Sequence, residues 1–229
     1  MTDAIAHEAV SDAPVKGQST PRARLMDAAT RLFCKHGINA TGIDAIVAEA
    51  GTAKTTLYKL FGSKNELVEA VLLSEGRVWR DWFVAAIGDK STPRAKLGAI
   101  FPVLKDWFTE DDYYGCVFIN AVGEHDKAET RLRAITLAHK GFVLGHIGDL
   151  ARAAGASHPE MLAHQIGLLM DGAIVAAMVT RDPGVADAAS QAAQALLVAA
   201  CGPAWRKSGA RARTHVPDHL PANGQIIRI

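Results

Sequence analysis

The chain has 229 residues, 49% hydrophobic and 21% charged, with a formal net charge of +1. That composition suits an ordinary folded domain or two with a sizeable core, and it excludes a wholly disordered chain. Aromatic residues are scarce at 6%, Ala and Leu recur, and alternating β-branched runs are missing, so the fold class expected is all-α.

Residues 1–19 carry acids and a histidine where a secretory leader would have an apolar core, so they read as a disordered tail of a cytoplasmic protein. Cys34, Cys116 and Cys201 are odd in number and widely spaced, which suggests buried thiols rather than disulfides or a zinc site.

Helix starts are marked by capping residues. Thr20-Pro21, Thr92-Pro93 and Asp182-Pro183 each pair an N-cap with a proline, whose missing N–H costs nothing at the first helical position. Ser63 to Glu66 and Ser157 to Glu160 have capping-box spacing, and Thr41 to Asp44 is a shorter-armed version.

In chain order the pattern predicts helices from Pro21 towards Gly37, from Thr41 to Ala50, from about Thr52 to Gly62, and a long one from Ser63 to about Ile87. The rest reads as a bundle: Thr92 to Phe108, about Cys116 to His125, about Lys127 to Ala154, Ser157 to Thr180, and Asp182 to Cys201, about nine helices in all. Thr109 to Gly115 reads as a loop. Residues 202–229 have no periodicity and read as a flexible tail with a basic cluster, Arg206, Lys207, Arg211 and Arg213. The apolar run Ile166 to Thr180 is too short for a membrane span and contains Asp171, so it reads as a buried helix and no membrane partner is expected.

The stretch after Gly51 carries the functional signal. On a helix, Ala53, Leu57, Leu60 and Phe61 fall on one side, and Lys54, Thr55, Tyr58 and Lys59 on the other. The apolar side suits docking on Ile46 and Val47; the other is cationic, hydroxyl-bearing and aromatic. Over residues 20–67 seven basic residues face four acidic ones, a local positive excess of three. A helix presented this way after a tight turn fits the DNA major groove, with Lys64 placed to meet a phosphate at the next helix N-terminus.

The sequence "TGIDAIVAEAGTAKTTLYKLFGSKNELV", preceded by "ARLMDAATRLFCKHG", resembles the DNA-binding domain of the tetracycline-repressor (TetR) family of bacterial transcription regulators. The likeness covers about the first third of the ordered chain and centres on Ala50-Gly51, Thr56-Leu57-Tyr58, Phe61, Lys64 and Glu66-Leu67. It implies a three-helix helix-turn-helix domain at 20–67, a linker helix to about 87, and a helical effector-binding and dimerisation domain at 68–201. It implies that Thr41 and Tyr58 contact phosphate, that Lys54, Thr55 and Thr56 lie near base edges, and that Lys64 anchors the backbone; Lys59 shares the exposed face. Members commonly have His where this chain has Leu60, so one phosphate contact is absent.

The expected partners are a palindromic double-stranded operator, a second copy of the chain, and a small, mostly apolar effector. For the dimer interface the small residues Ala173, Ala176, Ala177, Ala189, Ala192 and Ala193 are candidates, with His164 and Asp171 bonding across it. An internal Ala-rich core would give the same pattern. For the effector, Trp107, Phe118, Asn120, Glu124, His139 and Phe142 are candidates, with Trp79 and Trp82 completing an apolar chamber. The same polar groups bonding to one another between helices is the plainer alternative. Leu132, Ile135, His139, Phe142, His146 and Leu150 form an inward stripe.

No cofactor and no metal are expected, since Glu124, His125, His139 and His146 lack ligand spacing. Cys116 has no oriented base beside it, so no enzyme is expected. A DNA-binding or helix-turn-helix-derived protein acting through protein contacts, without small-molecule control, is the competing reading.

Overall fold

A computed structural model describes residues 20–111, 113–125, 130–202 and Trp205. Among the described residues there are nine α-helices and no strand: α1 Pro21–His36, α2 Ile43–Glu49, α3 Lys54–Phe61, α4 Lys64–Gly88, α5 Pro93–Phe108, α6 Val117–Glu124, α7 Thr130–Ala153, α8 Pro159–Thr180 and α9 Val185–Cys201.

Side-chain caps fix three of the starts. Thr20, Ser63 and Thr92 accept hydrogen bonds from the N–H groups of Ala23, Glu66 and Ala95, each satisfying a donor that the helix geometry orphans. Three expected starts differ. The Thr41 hydroxyl donates back to the carbonyls of Gly37 and Leu32, at 2.7 and 3.2 Å, so Gly42 becomes the α2 cap. Ser157 uses its backbone N–H on the Ala200 carbonyl, leaving His158 as the α8 cap, with no side-chain bond, ahead of Pro159. Asp182 accepts from the Gly184 N–H at 2.7 Å in a turn, which delays α9 to Val185.

Helices α1 to α3 close around Leu25, Ile46 and Leu57, all with no exposed surface. Burial of each such side chain is worth about 1.5–3 kcal/mol. Helix α4 starts in this unit with Leu67 and Val71 and ends among Trp79, Phe83 and Ile87 in the bundle. There α5, α7, α8 and α9 pack pairwise, and α6 bridges α7 and α1.

Helix α8 is long and apolar enough by length and composition to cross a membrane. It packs here between α7 and α9, burying Leu162, Ile166, Met170 and Ile174. The expected loop between α5 and α6 is found, with Thr109 and Asp111 exposed, and it is tied inward at Tyr113, which is buried and whose hydroxyl donates to the Ile174 carbonyl at 2.7 Å. Trp205, placed in the flexible tail by the sequence reading, is also buried, donating from Nε1 to Gln194 Oε1 at 2.6 Å. Residues 1–19 and the basic cluster of the tail lie outside the described residues.

Candidate nucleic-acid interface and internal chamber

The turn between α2 and α3 depends on Gly51, whose φ of +57° places it in the left-handed region that glycine enters without a Cβ penalty. The Thr52 N–H donates to the Val47 carbonyl at 3.0 Å and closes the turn. Arg24 and Arg31 of α1 hold α2 from outside, through the Ala50 carbonyl at 3.0 Å and Glu49 at 2.9 Å. With its apolar side fixed by Leu57 and Phe61, α3 exposes Lys54, Thr55, Tyr58 and Lys59; Thr56 and Lys64 are half-buried. Lys54 pairs with Asp44 of α2 at 2.9 Å; that hydrogen bond and charge hold its pKa above the ordinary value. Ala53, the α3 N-cap, makes no side-chain cap bond, so the helix N-terminus stays open to an anion.

Two expectations are corrected here. Thr41 is 3% exposed with its hydroxyl turned to α1, so its side chain is not offered to phosphate. Leu60 is exposed rather than docked with the apolar side, because at 100° per residue it lies about 60° round the helix from Leu57 and about 100° from Phe61, at the edge of the buried face.

In the bundle, side chains of α4, α5, α6, α7 and α8 line a cavity of about 160 Å³, part of whose rim, His164 and Leu168, is exposed. Trp79, Trp107 and Phe118 supply aromatic wall, and Val143, Met170 and Ile174 supply aliphatic wall. Phe118 stacks on His139 with centroids 4.0 Å apart. His139 faces Arg80, Nη1 to Nδ1 3.4 Å, and burial with the Lys140 and Arg80 charges pushes its pKa down to about 3. The ring is therefore neutral. Lys140 and Asp171, both lining the cavity, form an ion pair between α7 and α8. The Trp79 Nε1–H is buried with no hydrogen-bond partner among the described residues, a defect that ordinarily costs about 1–3 kcal/mol.

Of the expected effector residues, Trp107, Phe118 and His139 come together here; the other three do not. Asn120 donates to the Tyr114 carbonyl at 3.3 Å. Glu124 reaches away, its Oε2 accepting from the Asn39 N–H at 2.8 Å while Asn39 Nδ2 donates to the Glu124 carbonyl at 2.7 Å. Phe142 is 50% exposed beneath Arg80. The inward stripe of α7 runs instead through Leu132, His139, Val143, Ile147 and Ala151: each four-residue step from His139 on advances about 40° beyond a full turn, so the buried line winds round the helix away from Phe142 and His146. His125 lies over the Ala121 carbonyl at 2.8 Å, so it and Glu124 are committed to different partners.

The interface candidates also divide. His164 and Asp171 line the chamber. Ala173, Ala177 and Ala193 are buried inside the protomer, so they cannot meet a second copy; Ala176 and Ala189 are half-buried and Ala192 is exposed. The outward stripe of α8 is larger: Met161, Leu168, Val175 and Val179. Lys140 was missed by the sequence reading. The signal was Asp171 itself, an acid within the apolar stretch Ile166 to Thr180, which a cation on the facing helix offsets.

Two short helices joined at a glycine turn, the second with an exposed cationic outer face, form the arrangement of helix-turn-helix DNA-binding proteins. Residues 25–71 match the family described as bacterial regulatory proteins, tetR family. The HTH-type transcriptional regulator BetI of Agrobacterium fabrum is 30% identical over 154 residues, 66% of this chain and 73% of that protein. The HTH-type transcriptional repressor SCO4008 of Streptomyces coelicolor is 43% identical over 51 residues, 22% of this chain and only 27% of its own length. The crystal structure of SCO4454, a TetR-family transcriptional regulator from the same species, superposes with a TM-score of 0.74 at 31% identity, covering 79% of this chain and 96% of that one. The chain belongs to the TetR family of bacterial transcription regulators.

Proposed function

We propose that the protein is a homodimeric, sequence-specific DNA-binding regulator, a repressor released from a palindromic operator by a small, mostly apolar effector. Residues 20–67 form the DNA reader and 68–201 the effector and dimer unit. The observation that carries the DNA reading is the outward face of α3, where Lys54, Thr55, Tyr58 and Lys59 are exposed beside an uncapped helix N-terminus. Lys54, Thr55 and Thr56 read base edges, and Tyr58, Lys59 and Lys64 hold phosphates. Exchange of Lys54 from Asp44 to the DNA is part of that step.

Dimerisation uses the outward stripe of α8, Met161, Leu168, Val175 and Val179, with the exposed small residues of α9, Ala188, Ala192, Ala195 and Ala199. Large side chains of one helix opposite small ones of another permit close packing. Two-fold symmetry then requires a palindrome. The effector occupies the α4–α8 chamber and favours a dimer whose recognition helices are spaced wrongly for successive major grooves. It acts only through its differential affinity for the two spacings. That SCO4008 is named a repressor supports the direction of control.

Selection of bound duplexes from a random pool by the purified protein tests the reading. Enrichment of a palindrome is expected; unenriched DNA would leave only electrostatic binding, and no bound DNA would favour action through protein contacts.

A further inference from the structure

The unpartnered Trp79 Nε1–H says what kind of molecule the chamber takes. Trp79 is 5% exposed, lines the cavity, and keeps a buried donor without an acceptor among the described residues. Buried polar groups in native proteins nearly always have a partner. The neighbouring walls are flat rings: Trp107 meets Trp79 edge-on at 6.0 Å, and Phe118 lies over His139. The cavity, about 160 Å³, is close to the roughly 150 Å³ of an apolar cavity that takes up benzene. Its one charged pair is Lys140 with Asp171, and the Lys140 ammonium can turn from that carboxylate to another anion.

We propose that the chamber binds a one-ring aromatic molecule bearing a carbonyl or carboxylate oxygen, which accepts the hydrogen bond of Trp79 Nε1 while the ring packs against Trp107 and Phe118. The neutral His139 fits this, since a cationic ring there would be desolvated beside two other cations. The proposal rests on the chamber being the effector site.

The test uses the full chain with ¹⁵N-labelled indoles, free of DNA, titrated with acetophenone, benzoate and ethylbenzene, the last having similar size and no oxygen. Acetophenone or benzoate should bind about tenfold tighter than ethylbenzene and move one indole N–H resonance downfield, that of the indole whose ring protons show cross-peaks to Phe83, the ring stacked on Trp79. Trp79→Phe should abolish the preference for oxygen. Because the resonance is followed in the unmodified protein, the result stands even where that variant fails to fold. Lys140→Met should weaken benzoate and leave acetophenone unchanged; equal effects on the two would remove Lys140 as the anion's partner. Equal or tighter binding of ethylbenzene, an unmoved Trp79 resonance, or no binding of either oxygen ligand at millimolar concentration would overturn the ligand class while leaving the DNA reading intact. Oxygen-selective binding that leaves the operator complex undisturbed would instead support the ligand class and sink the effector role.

Discussion

Asn39 and Glu124 are joined twice, backbone N–H to carboxylate at 2.8 Å and side-chain amide to carbonyl at 2.7 Å, across the boundary between the loop after α1 and the end of α6. Gly37 makes room for this: a Cβ there would lie 3.0 Å from both Glu124 carboxylate oxygens, and its φ of +87° disfavours any side chain. The other end of α6 carries Val117 and Phe118 into the chamber wall. One rigid helix of eight residues, about 12 Å long, thus touches the cavity at one end and the DNA-reading unit at the other.

Glu124→Ala should therefore leave free operator affinity within about threefold, yet cut the effector-induced change in affinity by about 1–2 kcal/mol of coupling. Operator titrations with and without effector read this directly. An unchanged ratio would reduce the Asn39–Glu124 clasp to a structural contact.

Glu75 of α4 predicts a pH dependence of stability. Burial pushes its pKa from 4.5 to about 7, opposed by the Thr30 hydroxyl, which donates to it at 3.3 Å, and assisted by Asp27. The folded state thus holds a proton that the unfolded chain has released between about pH 4.5 and 7. In that window the unfolded state binds fewer protons, so this contribution to stability falls as pH rises and levels off above 7. Its full extent is of order 3 kcal/mol. Glu75→Gln should flatten the slope of unfolding free energy between pH 5 and 7.5, and an identical slope in both proteins would remove Glu75 as its source.

The helix order was legible because caps and glycines punctuate this chain strongly, and α3 was legible because its two faces differ so much in chemistry. The chamber was less so. Spacing placed His139 correctly inside, but it also placed Phe142 there, since three- and four-residue steps both fit a stripe until neighbouring helices choose between them. Glu124 reads as a buried acid near Phe118, and only tertiary structure reveals Asn39, 85 residues away in sequence, as its partner. Small residues identify close helix approach without telling an internal seam from an external one; Ala173 and Ala177 belong to the first kind.

The proposed dimer face gives a cleaner discrimination. Val179 is 71% exposed on α8 while Ala177 is buried two residues away. Val179→Glu should keep the helical content of the protomer, shift sedimentation towards monomer at micromolar concentration, and weaken binding to a full palindrome far more than to a half-site. Ala177→Glu should instead unfold the bundle, because a carboxylate there has no room and no partner. A Val179→Glu protein that remains dimeric would place the interface elsewhere.

On DNA, the two roles assigned around α3 separate by their salt dependence. Lys64→Ala should weaken binding to every sequence and make the slope of log affinity against log salt shallower by about one, the signature of one lost phosphate contact. Tyr58→Ala should weaken all sequences too, but with the slope nearly unchanged, since a neutral phenol releases no counterion. Lys54→Ala and Thr55→Ala should relax preference at particular base pairs by about 1–3 kcal/mol each. Lys54 begins ion-paired to Asp44 at 2.9 Å, so Asp44→Asn should raise affinity for all DNA by freeing that ammonium and removing a negative charge beside the groove. Equal losses on cognate and random duplexes for Lys54→Ala and Thr55→Ala would take both residues out of base reading and leave the face of α3 as a phosphate clamp.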